Sequence, residues 1–155
     1  MYQRIVVATD GSDTSNVAVE HAVQLAKDQR ARLRIVHVVE SIGHAVSMAG
    51  AYPFDPTPLW EALREDGRKA LSMAEAKARS AGVETETALL EDKEPPERVA
   101  SILARDAQKW DADLIVLGTH GRRGIDRLFL GSVAETLVRM APTPVLLVRA
   151  KTHAP

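Results

Sequence analysis

Cysteine is absent from the 155-residue sequence. Disulfide bonds, thiolate nucleophiles and cysteine-ligated metal sites are therefore all excluded. Charge of one sign is not in excess either, because 20 Lys and Arg residues stand against 21 Asp and Glu residues and the formal net charge is -1. A chain with this balance has no overall field that would draw it to nucleic acid or to an anionic membrane. Any site for an anion must be local.

Long hydrophobic runs are also missing. The apolar runs are only a few residues long, far below the roughly 18 residues that a membrane-spanning helix needs. The first residues, Met1–Val7, predict the start of a strand rather than a signal peptide. The lack of cysteine suits a reducing compartment. Together these features predict a cytoplasmic protein without membrane insertion and without a nucleic-acid partner.

Short apolar runs mark the strands. The runs Ile5–Ala8, Leu33–Val39, Asp113–Gly118 and Val145–Val148 are rich in Val, Ile and Leu, which is typical of strands buried on both faces. In Val83–Leu89, Val, Thr and Leu alternate with Glu and Ala. That period of two predicts a strand with one exposed face at the edge of the sheet.

Apolar residues spaced by three and four predict a helix between each pair of strands. These helices run after Ser12, from Leu59 to Ser80 before the capping Gly82, from Pro95–Pro96 to Trp110, and from Ser132 to Pro142. The stretch Ser41–Thr57 has no such period and predicts a long loop, a candidate lid or contact surface.

Alternating strands and helices predict an α/β fold with one doubly wound, Rossmann-like sheet of five mostly parallel strands and helices on both faces. The length suits a single domain, which we place at residues 1–150, followed by a flexible tail at 151–155. Ligands of such sheets bind beyond the carboxyl ends of the strands, where the strand order reverses. The loops after Ala8 and after Leu117 are therefore the candidate site.

The second of these loops is rich in glycine. Gly118, Gly121, Gly131 and Ser132 form the pattern Gly-x2-Gly-x9-Gly-Ser. Glycine lets main-chain amides approach a phosphate closely, and a helix beginning at Ser132 would add the free N–H groups of its first turn. A tight loop with a helix cap would need similar glycines. The pattern by itself therefore does not decide between a phosphate site and a purely structural loop.

The pattern resembles that of universal stress proteins that bind ATP. The resemblance extends to Ile5–Ser12, His37–Val38, Asp113–Gly118 and Pro144–Val148, and so to most of the domain. It implies a fold like that of the adenine nucleotide alpha hydrolases and a nucleotide-binding domain at residues 1–150. It also implies a homodimer formed through the strand Val145–Val148, acting as a regulatory or stress-response module whose nucleotide state a protein partner reads.

The resemblance further implies an ATP site with Mg²⁺. Its residues are Ala8, Thr9, Asp10, Val38, Val39, Gly118, Thr119, His120, Gly121, Arg122, Arg123, Gly124, Gly131, Ser132, Val133 and Ala134. The glycines with Ser132 and Val133 would hold the phosphates and ribose, and the main chain at Val38 would meet the adenine. Asp10 would lie near the ribose and the Mg²⁺. His120, Arg122, Arg123 and Arg127 could supply positive charge above the phosphates.

Two other functions fit the same fold class. A slow ATPase, or a transferase of nucleotidyl or phosphoryl groups, could use Asp10 or His120 to assist a water molecule. The sequence nevertheless lacks Gly-x4-Gly-Lys-[Ser/Thr] and the paired acidic residues that hold two metals, so we assign no catalytic residue. A phosphoacceptor domain would use Asp10, but Thr9 stands where a further acidic residue is needed and Arg149 where Lys is needed.

Overall fold

The computed structural model describes residues 1–40, 55–92, 98–120 and 130–150. Its elements are β1 (Arg4–Ala8), α1 (Asp13–Gln29), β2 (Arg32–Val39), α2 (Thr57–Ser80), β3 (Thr85–Glu91), α3 (Val99–Lys109), β4 (Leu114–Gly118), α4 (Ser132–Met140) and β5 (Val145–Val148). Within these ranges the five strands all pair in parallel, in the order β3-β2-β1-β4-β5. The predicted α/β fold with a doubly wound sheet is confirmed. Among the described helices, none is long and apolar enough to cross a membrane.

The sheet is covered on both faces. Side chains such as Val7 and Ile35 pack against α1 and α2, whereas Val6 and Val36 pack against α3 and α4. Successive residues of a strand point to opposite faces, so a strand covered on both sides must be apolar at every position. This explains the continuous Val, Ile and Leu runs of the central strands.

The central strand β1 stops before its neighbours do. Its last pair with β2 is Ala8–Val36, yet β2 continues along β3 to Val39. Its last pair with β4 is Val7–Val116, yet β4 continues along β5 to Gly118. Three further residues of β2, at about 3.3 Å each, extend the strand about 10 Å past its last pair with β1 at the carboxyl edge of the sheet. We call the space between the ends of these strands the notch; β2 and β4 form its sides and the end of β1 its base.

The helix ends follow the predicted signals with two exceptions. Ser12 is the N-cap of α1, and Gly82 after α2 has a φ of +76°, the left-handed conformation that glycine adopts readily. Helix α2 begins at Thr57, which the prediction placed in the loop; Pro56 is its N-cap, and Asp55 Oδ1 accepts the Thr57 N–H at 3.0 Å. This hydrogen bond lowers the pKa of Asp55. The rest of the predicted loop, residues 41–54, lies outside the described residues.

The predicted start of α3 at Pro95–Pro96 falls within residues 93–97, also outside the described ranges, and α3 begins at Val99. Strand β3 lies at the sheet edge, as predicted. The prediction that one of its faces is exposed was wrong. Thr87, on the face expected to be covered, is exposed, whereas Ala88 and Leu90 on the other face pack against the core.

One polar bridge joins the sheet to α3. Arg34 on β2 donates from Nε and Nη2 to the two carboxylate oxygens of Asp106, at 2.9 and 3.0 Å, and its side chain also lies 3.3 Å from Glu86 Oε1. The side chains of Arg34 and Asp106 are only 18% and 12% exposed. The hydrogen bonds to Asp106 raise the pKa of Arg34. This bidentate Arg34–Asp106 ion pair is largely shielded from solvent and fixes α3 on the sheet.

Gly118 brings the start of α1 against the end of β4. A Cβ at this position would lie 2.8 Å from Thr14 Cγ2 and 3.2 Å from the Thr14 carbonyl oxygen. The first distance is shorter than two carbon atoms tolerate and the second is tighter than most Cβ contacts, so a side chain here would push the first turn of α1 away from the sheet. The glycine is therefore required by the packing of the two elements beside the notch.

We predict that Asp106→Asn lowers the free energy of unfolding by about 1.5–3 kcal/mol, because it removes the charged acceptor of Arg34. The measurement is urea-induced unfolding followed by circular dichroism. Glu20→Gln is the matched control, since Glu20 forms an exposed ion pair with Lys77 at 2.8 Å and its loss should cost less than about 1 kcal/mol. Equal losses in the two variants would contradict the structural role of Arg34.

We also predict that Gly118→Ala lowers the free energy of unfolding by about 1–3 kcal/mol through the clash with Thr14. The double variant Gly118→Ala with Thr14→Ser removes Cγ2 and should recover part of that loss in the same urea experiment. Thr14→Ser alone should change stability by no more than about 0.5 kcal/mol. A Gly118→Ala variant as stable as the wild type would show that α1 does not pack this closely.

Candidate functional site

The predicted site residues that the structure describes collect at the carboxyl edge of three neighbouring strands, around the notch. They are Ala8, Thr9 and Asp10 at the end of β1, Val38 and Val39 at the end of β2, Gly118, Thr119 and His120 at the end of β4, and Gly131, Ser132, Val133 and Ala134 at the start of α4. Gly121, Arg122, Arg123, Gly124 and Arg127 lie within residues 121–129, outside the described ranges.

Hydrogen bonds hold the turn between β1 and α1. The Thr9 N–H donates to the Val36 carbonyl at 2.9 Å, and the Thr9 hydroxyl lies 3.3 Å from Ser15 Oγ. Asp10 Oδ1 accepts the Ser12 N–H at 2.9 Å, and Ser12 Oγ accepts the Ser15 N–H at 3.2 Å. The turn is therefore shaped by its own side chains, and the helix cap is Ser12 rather than Asp10.

The end of β2 directs main-chain groups into the notch. The Leu33 N–H and the Val39 carbonyl form main-chain hydrogen bonds on the β3 side, whereas the Val36 carbonyl accepts from the Thr9 N–H on the β1 side. Main-chain groups alternate in direction along a parallel strand, so Val38 points the same way as Val36. Beyond Val36, β1 has ended. The N–H and C=O of Val38 therefore face the notch, which is where the resemblance placed adenine.

Two hydrogen bonds hold the segment between β4 and α4 at its base. The Thr119 N–H donates to the Val148 carbonyl at 3.0 Å, and the Gly131 N–H donates to the Thr119 carbonyl at 2.8 Å. The glycine that precedes α4 is thereby tied directly to the residue that follows β4. The first turn of α4 is positioned at the carboxyl edge of the sheet.

The amino end of α4 differs from that of α1. In α1 the Ser12 side chain accepts an N–H of the first turn, but the N-cap of α4 is Gly131, which has no side chain to do so. The early N–H groups of a helix have no acceptor within the helix and carry partial positive charge. The amides of Ser132, Val133 and Ala134 are thus suited to bind an anion.

His120 follows Thr119 at the same edge. Its Nδ1 lies 2.9 Å from Thr119 Oγ1. Its Nε2 is buried and has no hydrogen-bond partner in the described part of the chain. A buried ring nitrogen without a partner is costly unless a ligand or water completes it.

Metal ligands are few at this edge. Across residues 1–40, 55–92, 98–120 and 130–150 no cluster of three His, Asp or Glu residues is suited to a metal. Mg²⁺ bound with a nucleotide takes most of its ligands from phosphates and water, and needs only one or two carboxylates from the protein. Asp10 beside the notch fits that limited requirement.

Four residues that shape the site escaped the sequence-based prediction. Thr14 sets the need for Gly118, and Ser15 is buried beneath Thr9. His37 was named only as a strand end, although its Nδ1 contacts the Thr9 carbonyl at 2.8 Å. Gly67 lies against the His37 ring. A glycine within a predicted helix was the available signal for this last contact, since glycine there costs about 1 kcal/mol relative to alanine.

Comparison with known proteins identifies the family of the chain. The family model described as the universal stress protein family matches residues 1–149. A universal stress protein of Methanocaldococcus jannaschii is 37% identical over 153 residues, which span 96% of this chain and 83% of the relative.

Solved structures give the same result. A universal stress protein family member from Burkholderia pseudomallei superposes with a TM-score of 0.75 and 37% identity, over 96% of this chain and 97% of that chain. A universal stress protein in complex with cAMP has a TM-score of 0.65 and 30% identity, over 96% and 97%. One from Archaeoglobus fulgidus in complex with dAMP has a TM-score of 0.65 and 26% identity, over 95% and 98%. The chain belongs to the universal stress protein family.

Proposed function

We propose that this chain binds ATP with Mg²⁺ in the notch and acts as a homodimeric regulatory module whose nucleotide state is read by a protein partner in the stress response. Similar proteins in complex with cAMP and dAMP support an adenine nucleotide as the ligand. The cysteine-free sequence suits a reducing compartment, and we place this function in the cytoplasm.

The observation that supports the proposal most strongly is the amino end of α4. Gly131 has no side chain that could accept from the amides of Ser132, Val133 and Ala134, and its bond to Thr119 holds them beside the notch. A phosphate group placed there would accept from several main-chain N–H groups and lie at the positive end of the helix. Main-chain donors also explain how a protein with no excess positive charge could bind a polyphosphate.

The other end of the nucleotide would lie at β2. The N–H and C=O of Val38 form a donor and acceptor pair directed into the notch, which suits the edge of an adenine ring. Asp10 would accept from a ribose hydroxyl or share the Mg²⁺ that the triphosphate brings. Nε2 of His120 would complete its hydrogen bonding on a phosphate oxygen if it carries the ring proton.

The homodimer would form through β5. This strand forms one edge of the described sheet and carries no charged residue, so its free edge is able to pair with a second copy. Leu146 is 40% exposed on it, and Val138 and Met140 on α4 are 50% and 45% exposed. Pairing of two β5 strands about a twofold axis would remove the free strand edge from water.

We predict that saturating ATP with Mg²⁺ raises the melting temperature of the wild type by about 5–11 °C, the shift expected for a ligand at a hundred times its dissociation constant. Ser132→Pro should reduce that shift strongly. Proline is tolerated at the first helical position but removes the Ser132 N–H, and Gly131 with a ψ of 149° already has the conformation required before proline. Differential scanning fluorimetry measures both effects.

Ser132→Ala is the matched control, because it removes the hydroxyl and keeps the amide. It should retain most of the shift if main-chain N–H groups bind the phosphates. A wild type whose melting temperature is unchanged by ATP would contradict the proposed function. An unaltered shift in Ser132→Pro would contradict the assignment of the phosphates to α4.

We predict that Leu146→Lys yields monomers, because it places a charge on the strand that would be paired. Multi-angle light scattering measures the mass in solution. Met73→Lys is the control, since Met73 is 65% exposed on α2 and away from β5, and should leave the mass unchanged. A Leu146→Lys variant that remains dimeric would place the interface elsewhere.

A further inference from the structure

The ring of His37 occupies the position where β1 and β2 separate. It is buried, at 8% exposure, and its Nδ1 lies 2.8 Å from the Thr9 carbonyl oxygen. A carbonyl can only accept, so Nδ1 carries the proton and donates. The side chain therefore satisfies a main-chain carbonyl at the base of the notch.

This hydrogen bond takes the place of a bond between the strands. The register of β1 with β2 ends at Ala8–Val36, where the Thr9 N–H donates to the Val36 carbonyl. One more rung of a parallel ladder would have the Val38 N–H donate to the Thr9 carbonyl. Because His37 donates to the Thr9 carbonyl, that carbonyl is satisfied without the Val38 N–H. Pairing of β1 with β2 can therefore end at Ala8, and the Val38 N–H remains directed into the notch.

Helix α2 holds the ring in place. A Cβ on Gly67 would lie 2.6 Å from His37 Cδ2, 3.0 Å from His37 Nε2 and 2.8 Å from Leu89 Cδ1. No side chain larger than hydrogen fits there without moving the ring or the leucine. A glycine in the middle of a 24-residue helix costs stability, and the contact with His37 accounts for its presence.

We propose that His37, held against Gly67, is a positioning residue for nucleotide binding: by donating to the Thr9 carbonyl it keeps the Val38 amide available to the base. This inference rests on the proposed nucleotide site. The hydrogen bond from His37 to the Thr9 carbonyl is nevertheless present in the unliganded protein. The same arrangement links α2 to the notch, since any shift of the helix at Gly67 moves the ring.

The test compares His37→Leu with His37→Asn. Leucine cannot donate, whereas the Asn amide nitrogen lies near the position of Nδ1 and can donate to Thr9. Isothermal titration calorimetry with Mg-ATP should show about a tenfold weaker affinity for His37→Leu, as expected for one lost hydrogen bond. His37→Asn should bind within about twofold of the wild type. Equal affinities of His37→Leu and the wild type would overturn the proposal.

Amide hydrogen exchange without nucleotide supplies the second readout. In His37→Leu the Val38 N–H should turn to the freed Thr9 carbonyl, so its exchange should slow at least about tenfold relative to the wild type. His37→Asn should keep the wild-type rate. An unchanged Val38 rate in His37→Leu would overturn the proposal, whereas a wild type that fails to bind ATP would overturn the nucleotide site and leave this measurement valid.

Gly67→Ala tests the same point without altering a polar group, and serves if His37→Leu does not fold. The added methyl should displace the ring, weaken Mg-ATP binding and slow Val38 exchange in the same way. Ala76→Gly, at an exposed position of the same helix, is the control for the general effect of an alanine–glycine exchange and should leave both readouts unchanged. Wild-type affinity and exchange in Gly67→Ala would contradict the role of the ring.

Discussion

The early end of the central strand is the constraint on which the rest of this structure depends. Strand β1 stops pairing at Ala8 while β2 and β4 each run on with their outer neighbours. Main-chain groups that would otherwise complete a sheet are thereby left at the sides of a notch. In a parallel sheet covered on both faces, the other main-chain donors and acceptors are paired with neighbouring strands. Few of them could reach a ligand without breaking the core.

Each element around the notch serves to keep it open and shaped. Gly118 allows α1 to approach β4, and the hydroxyls of Thr9, Ser12 and Ser15 fix the turn at its base. The bond from Gly131 to Thr119 sets the start of α4. Among the described residues, the groups that line the notch are largely main-chain N–H and C=O groups, which suits a protein with a formal net charge of -1.

Most of the fold was predictable from sequence because its signals are local. Runs of Val, Ile and Leu identified the buried strands, and Gly82 identified the end of a helix because glycine readily adopts the left-handed conformation. The exposure of Thr87 and the start of α2 at Thr57 were not predicted in this way. Ala88 and Leu90, on the face expected to be exposed, pack against the core instead, and the first turn of α2 begins directly after Pro56.

The candidate site, like the fold, was predicted from the sequence only in part. The glycines and loops of the candidate site were predicted from spacing and from the alternation of strands and helices. The contact of His37 with Thr9 and Gly67 was not recognised, because it joins residues that are 28 and 30 positions apart along the chain. These contacts follow from the way β1, β2 and α2 pack together; the glycine within the predicted helix signals a close approach but does not identify His37 as its neighbour.

The most direct measurement of the central claim is a titration of isotope-labelled protein with Mg-ATP, followed through the backbone amide signals by NMR. The account predicts that the largest changes fall on Val38, Ser132 and Val133, with Thr87 at the outer edge unaffected. Changes confined to the amino-terminal edge of the sheet, or none at all, would contradict the claim that the notch binds the nucleotide.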